Sequence, residues 1–227
     1  MSESSNNYHF IIATPKTEEE FKTKSPISLF FDKFNLKSDK DYTVICNNKE
    51  GLPKIYNSFI NESFKEKKLI FVHDDVLIED LFWQEKLTLA FEKYDIVGLA
   101  GSKKCNLTSP IMAWHMMCSR EDMVGEVAHS KDKKFWTTVF GPTESRALIL
   151  DGLFIAVNTQ KLLETNTLFD ENFTFHHYDM SFCIRANQNK LKMGVFPLKV
   201  THYGLGDSMN SESWKSSSDI FKQIYVK

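Results

Sequence analysis

Apolar and polar positions alternate in blocks along the first hundred residues, and the period changes from block to block. Tyr8 to Ala13 is a short apolar run stopped by Thr14-Pro15, the mark of a buried strand and its turn. From Thr17 to Leu36, Phe21, Ile27, Phe30, Phe31 and Phe34 recur near helical spacing, with Pro26 close to a helix start. Asp41 to Cys46 predicts a second strand. Leu52 to Phe64 predicts an amphipathic helix built on Leu52, Ile55, Phe59 and Ile60. Leu69 to Val72 is a third strand, Glu79 to Tyr94 a further helix, and Asp95 to Gly101 a strand closed by glycine. Strand and helix in alternation predict an α/β fold, a parallel sheet with helices on its faces.

The pattern then loosens. Residues 102–148 hold Trp114, Trp136 and Gly141-Pro142 and suggest short strands and loops rather than long helices. Ala147 to Val157 reads as a strand interrupted at Asp151-Gly152, followed by a helix from Thr159 to Glu164. A loop from Phe169 leads into a helix over residues 179–189, and Lys192 to His202 predicts the final strand. The tail from Gly204 reads as loosely structured before a last short helix. No Pro-, Gly- or Ser-rich linker and no internal repeat divides the chain, so one domain over residues 1–227 is expected.

Chemistry concentrates where the third strand stops. Leu69-Ile-Phe-Val72 ends abruptly in His73, Asp74 and Asp75. Open α/β sheets bind ligands at the carboxyl ends of their strands, and carboxylates delivered there can hold a divalent cation beside a diphosphate. The competing reading is a polar turn that only ends the strand, since Asp favours turns.

Composition narrows the options. A net charge of -2 argues against a general nucleic-acid binder, which would carry a basic face. The N-terminus lacks an apolar leader, and no run is long enough to span a bilayer. Cys46, Cys105, Cys118 and Cys183 are too scattered for a zinc site and read as free thiols in a reducing compartment. The expected location is cytoplasmic, with peripheral work at a membrane on a lipid-linked substrate left open.

Four stretches in this order resemble the inverting glycosyltransferases of the GT-A fold, family 2, and within it the streptomycin-biosynthesis glycosyltransferase-like group. They are Asn47-Asn48 through Gly51 to Asn57, then Phe71-Val-His-Asp-Asp-Val76, then Leu150-Asp-Gly-Leu-Phe-Ile-Ala156. The last runs from Phe169-Asp-Glu171 through His177-Tyr-Asp-Met-Ser-Phe-Cys-Ile-Arg185 to Val200-Thr-His202. The resemblance implies a mostly parallel central sheet flanked by helices and a nucleotide-sugar donor of UDP, GDP or dTDP type. It also implies a divalent cation and a glycan or lipid-linked acceptor.

Residue by residue, the resemblance gives Asp75 the metal role, with His73 standing where the family has an acid and His202 as a further ligand. Imidazole nitrogen suits Mn²⁺ better than Mg²⁺. Thr14, Asn47 and Asn48 fall beside the donor. Asp74 either turns away from the metal or meets a donor hydroxyl. Asp179 matches the family's catalytic base, and its alternative is a helix cap. Tyr178 and Ser181 stand where acids are usual, while Arg185 agrees with the pattern. Asp151, Gly152, Trp114 and His177 are candidates for sugar or acceptor contacts. For them the alternatives are a structural turn, core packing and a loop flank, and Trp136 shares the packing alternative. Tyr203-Gly-Leu-Gly-Asp207 suggests a lid. Two rival functions remain: a non-catalytic or degenerate sugar-nucleotide-binding module, suggested by His73, Tyr178 and Ser181, and a metal-dependent nucleotidyltransferase or nucleotide-sugar hydrolase. The missing glycine-rich signature after Ala13 counts against the nucleotidyltransferase.

Overall fold

The computed structural model describes residues 7–204 and 209–226. Strand β1 (Tyr8–Ala13) leads into helices α1 (Glu18–Lys24) and α2 (Pro26–Lys33), then β2 (Tyr42–Ile45), α3 (Leu52–Phe59), β3 (Lys68–Val72) and β4 (Val76–Ile78). The region after Gly98 is richer in strand than the sequence suggests. Helix α4 (Trp83–Phe91) precedes β5 (Ile96–Gly98), β6 (Ala100–Ser102), β7 (Met123–Lys131), β8 (Lys134–Val139), β9 (Ser145–Arg146) and β10 (Ile149–Leu150). Then come β11 (Phe154–Asn158), α5 (Thr159–Glu164), α6 (Tyr178–Gln188), β12 (Met193–Val195), β13 (Val200–His202) and α7 (Glu212–Tyr225).

The main sheet has seven strands in the order β2-β1-β3-β11-β5-β12-β9. Pairing directions put β2, β1, β3, β5 and β12 in one sense, with β11 and β9 reversed. The mostly parallel sheet expected from the sequence is therefore present. A second sheet runs β10-β6-β7-β13-β4, with β8 paired to β7.

Three segments cross between the sheets, two that read as single strands and one that read as interrupted at Asp151-Gly152. Asp95–Gly101 breaks at Leu99 into β5 and β6, Ala147–Val157 breaks at Asp151–Leu153 into β10 and β11, and Lys192–His202 breaks into β12 and β13. Pro197 lies in the last break, where its missing N–H would interrupt a ladder. Each break carries the chain from the main sheet toward the second sheet or back.

The stretch of near-helical spacing from Thr17 forms two helices, the second starting at Pro26 as expected, because Ser25 before the proline is extended and ends α1. The final helix is not short: α7 has 14 residues, capped by Ser211 onto Trp214 N–H, with Phe221 buried. Its serines mask the pattern of Trp214, Phe221 and Tyr225. Among the described residues, no helix is long and apolar enough to cross a membrane.

The core is centred on β1, β3 and β11, whose residues Phe10–Ile12, Leu69–Val72 and Phe154–Val157 are all fully buried. Such continuous apolar runs are what a strand covered on both faces requires. Phe169 fixes α6 to this core. Its ring stacks on Phe182 at 4.0 Å and meets Phe71 edge-on at 5.2 Å and Tyr56 at 5.3 Å. Phe169→Ala should cost about 3–5 kcal/mol through the cavity it leaves. In urea unfolding the midpoint should drop with the slope unchanged; a midpoint within error of wild type would contradict this packing role.

Candidate active site

Beyond the end of β3 the chain turns sharply before β4, and the turn separates three consecutive side chains. His73 and Asp75 face the second sheet, where they meet His202 from the end of β13. One ligand atom from each of these three residues lies within 4.8 Å of the others. His202 Nε2 is 3.2 Å from Asp75 Oδ2, and the backbone N–H of Tyr203 donates to Asp75 O at 2.9 Å. Asp74 turns the other way. Its Oδ2 accepts from Thr14 Oγ1, from Lys16 Nζ at 2.8 Å and from Ser25 Oγ at 3.4 Å. These contacts hold the Asp74 carboxylate on the side of β1 and α2.

The residues fit a divalent cation. Asp75 Oδ1 is buried without a hydrogen-bond partner, a costly arrangement for a carboxylate unless another group satisfies it. Gly204 leaves room for such a group. A Cβ there would lie 2.2 Å from Asp75 Oδ2 and 2.8 Å from His202 Nε2. Burial lowers the His73 pKa, with Asp75 opposing, so this imidazole stays neutral and able to ligate. Burial also works against charge on His202, but the hydrogen bond to Asp75 holds its pKa above the ordinary value.

Tyr178 settles the orientation of His73. Its hydroxyl donates to Gly152 O at 2.8 Å and lies 3.1 Å from His73 Nε2. A carbonyl can only accept, so the phenol spends its one proton there and accepts from His73 Nε2–H. That leaves Nδ1 as the unprotonated nitrogen of the ring. The two departures from the family pattern, His73 and Tyr178, are thus hydrogen-bonded to each other. An outer partner that fixes a ligand's tautomer commonly accounts for 10–100-fold in metal affinity.

Asp179 sits in the first turn of α6. Its Oδ2 accepts from Gly152 N–H at 2.9 Å and its Oδ1 from Met180 N–H at 2.8 Å. Burial pushes its carboxyl up to about 7, the neighbouring Asp151 adds to the shift, and the two N–H donors oppose it. The N-cap position is His177 and no side chain caps the helix, so the Asp179 carboxyl is held instead by the N–H groups of Gly152 and Met180, with a pKa suited to proton transfer near neutrality. Asp151 receives Trp114 Nε1–H at 2.8 Å and Leu153 N–H at 3.0 Å. Gly152 is required where it stands, because a Cβ would come within 2.5 Å of the Tyr178 hydroxyl.

All these groups open on one cavity of about 780 Å³ between the sheets and α7. Six of the chain's seven histidines line it, among them His129 and His177. Trp114 and Trp136 are there as well, so the two tryptophans singled out in the sequence reach the same space. His177 sits at φ 61° before α6, and its Nδ1 is 2.8 Å from Ser217 Oγ on α7. Burial lowers its pKa to about 4. Trp214 of α7 packs 5.1 Å from the His177 ring and completes the wall. Sequence reasoning missed Trp214 and His129; spacing alone carries no sign that α7 and β7 converge here.

Of the donor-side candidates, Asp75 lines this cavity, whereas Thr14, Asn47, Asn48 and Asp74 lie outside it. Thr14 is fully buried at the end of β1, and its carbonyl accepts from Asn48 N–H at 2.9 Å. Asn48 spends both ends of its side-chain amide on Glu50, closing its own turn. Asn47 is exposed at φ 52°. Leu205, Gly206 and Asp207 of the expected lid lie outside the described residues.

The sheet order, with a strand-end ligand cluster at its carboxyl edge, makes this a GT-A glycosyltransferase fold. The model of the Glycosyltransferase like family matches residues 33–225, and the chain belongs to that family. Among solved structures, A197 from STIV is similar over 87% of this chain and 86% of its own, with 14% identity and a TM-score of 0.51. GalNAc-T7, crystallised with UDP, GalNAc and Mn²⁺, is similar over 96% of this chain with 10% identity and a TM-score of 0.53. This chain spans about half of that protein, 48%. No curated protein matches the sequence.

The cluster geometry predicts the outcome of two substitutions. Calorimetric titration with Mn²⁺ should show affinity about 10–100-fold weaker in Tyr178→Phe, which loses the hydroxyl that orients His73. Gly204→Ala should abolish binding by driving Asp75 out of the cluster. Wild-type affinity in both variants would contradict the assignment.

Proposed function

We propose that the protein is a metal-dependent, inverting glycosyltransferase that moves a sugar from a nucleoside-diphosphate donor to an acceptor hydroxyl. The observation that carries this reading is the partnerless buried oxygen of Asp75 inside the His73–Asp75–His202 cluster, facing the same cavity as Asp179. Asp75, His202 and His73 would hold the cation. One carboxylate and two imidazoles favour Mn²⁺ over Mg²⁺, which prefers oxygen alone. Bound there, the cation supplies positive charge against the departing diphosphate.

The protein's own side chains divide the remaining work. Asp179 removes the proton from the acceptor hydroxyl as the oxygen attacks the anomeric carbon on the face opposite the diphosphate. Its raised pKa makes it a stronger base than an exposed carboxylate. Gly152 N–H and Met180 N–H hold it in place. Asp74, with Oδ2 occupied by Thr14, Lys16 and Ser25, turns its other oxygen to a donor hydroxyl. Asn47 and the Asn48 turn flank the nucleotide. Asp151, Gly152, Trp114 and His177 shape the sugar and acceptor space, and a glycan or lipid-linked hydroxyl is the acceptor class. GalNAc-T7 was crystallised with UDP and Mn²⁺, which makes UDP the first donor nucleotide to try.

A thermal-shift panel of UDP-, GDP- and dTDP-sugars with and without Mn²⁺ tests the donor site. One nucleotide should stabilise the protein in the presence of Mn²⁺, and no stabilisation by any pair would sink the reading.

Asp179→Asn should abolish transfer while leaving that stabilisation intact. Wild-type activity should rise with pH through about 7 as Asp179 ionises. Stability runs the opposite way. Between the ordinary carboxyl pKa of 3.8 and about 7, the native state keeps a proton that the unfolded chain has lost. Stability contributed by this group therefore falls as pH rises across that window. The melting temperature of Asp179→Asn should accordingly gain on wild type between pH 5 and pH 8. A constant offset across that range would argue against a raised pKa.

A further inference from the structure

The hairpin of β7 and β8 extends the cavity outward along one row of side chains. His202 of β13 is in register with His129 of β7, and His129 with Trp136 of β8. The rings follow the register: His129 meets His202 edge-on at 5.8 Å and stacks on Trp136 at 5.3 Å with an interplanar angle of 19°. Val127, His129, Trp136 and Thr138 all line the cavity, so this is the inward face of the hairpin. By strand alternation the next pair on that face is Lys131 opposite Lys134, roughly 7 Å farther along the strands. Both lysines are exposed, and no ion pair is recorded for either among the described residues.

Charge along this row is unequal. The cavity lining carries Asp75, Asp151 and Asp179 but no lysine or arginine. Its floor therefore suits an uncharged sugar, while the hairpin tip offers two ammonium groups about one sugar ring farther out. The tip is held by a tight turn in which Asp132 and Lys133 take φ 49° and φ 64°, the two-residue hairpin geometry that matches strand twist. The lysine pair is thus presented on a defined scaffold.

We infer that the β7–β8 hairpin is an acceptor-binding arm: Trp136 on its His129 backing takes a sugar ring, and Lys131 with Lys134 binds an anionic group on that acceptor. This rests on the transferase reading of the cavity. The anionic group is a phosphate or a carboxylate. A sugar phosphate and an acidic glycan share this chemistry, and separate probes distinguish them.

Tryptophan fluorescence titrations with a hexose 1-phosphate, a methyl uronide and a neutral methyl hexoside test the arm. They compare wild type, the Lys131→Ala/Lys134→Ala double variant and Trp136→Ala. At least one anionic probe should bind wild type more tightly than the neutral one and lose about tenfold in the double variant, where two exposed charge contacts are removed. That difference should shrink with added salt. Trp136→Ala should weaken all three probes while keeping their order. Equal affinity for neutral and anionic probes, no binding of either anionic probe, or no effect of the double variant would each overturn the inference. So would binding of the protein to anionic phospholipid vesicles that is lost in the double variant while affinity for the anionic sugars is unchanged. Stabilisation by UDP with Mn²⁺ is measured on the same samples. Absence of stabilisation in wild type by UDP, and then by GDP and dTDP sugars with Mn²⁺, marks failure of the transferase reading, whereas persistence of wild-type stabilisation in the double variant confines any lost binding to the arm.

Discussion

The backbone of Gly152 fixes the site's two chemical groups relative to each other. Its N–H is held by Asp179, and its carbonyl takes the proton of Tyr178, which in turn accepts from His73. One peptide segment, at the point where the chain leaves the second sheet for the main one, registers the proposed base against the proposed metal ligands. No larger residue fits there, since Tyr178 and Asp179 already occupy the space a Cβ would need. The rigidity has a source farther back. Phe169 stacks on Phe182 and wedges α6 against β3, so the helix bearing Asp179 and the strand ending in Asp75 share one packed core.

Burial pushes both carboxyls of the site upward, and their neighbours set them apart. At Asp179, burial and Asp151 act together, and the carboxyl rises to a value suited to taking a proton near neutral pH. At Asp75, burial is outweighed by His202 and His73, and the carboxyl stays below its ordinary value. A low carboxyl pKa keeps Asp75 ionised, the state a cation requires. Two carboxylates on one cavity are thus driven apart in pKa by their neighbours, as the proposed division between acid-base work and ligation requires.

Much of this was legible in the chain. The apolar runs of β1 and β3 announced buried strands, and the stop at His73 put polar side chains at a strand end. The order of motifs then pointed to Asp75, Asp179 and His202. The second sheet was not legible, for a physical reason. Its strands continue the apolar patterns of β5 and β12 across bends at Leu99 and Pro197, so each pair read as one strand. The β7–β8 hairpin was hidden because its turn, Asp132-Lys133, adopts positive φ at both positions without the glycine that usually signals it. Helix α7 was disguised by its serines, two of which hydrogen-bond His176 and His177 and so bring Trp214 to the cavity. Tyr178 read as a missing acid. In the structure its hydroxyl is the hydrogen-bond partner of His73 Nε2.

The central claim is that Asp75, His202 and His73 together ligate a divalent cation. Pulsed electron paramagnetic resonance of the protein with one equivalent of Mn²⁺ tests this most directly, because nitrogen bonded to Mn²⁺ modulates the echo. The account predicts modulation from two imidazole nitrogens, reduced to one in His73→Ala and to one in His202→Ala. A spectrum without histidine nitrogen coupling, or one unchanged in both variants, would contradict it.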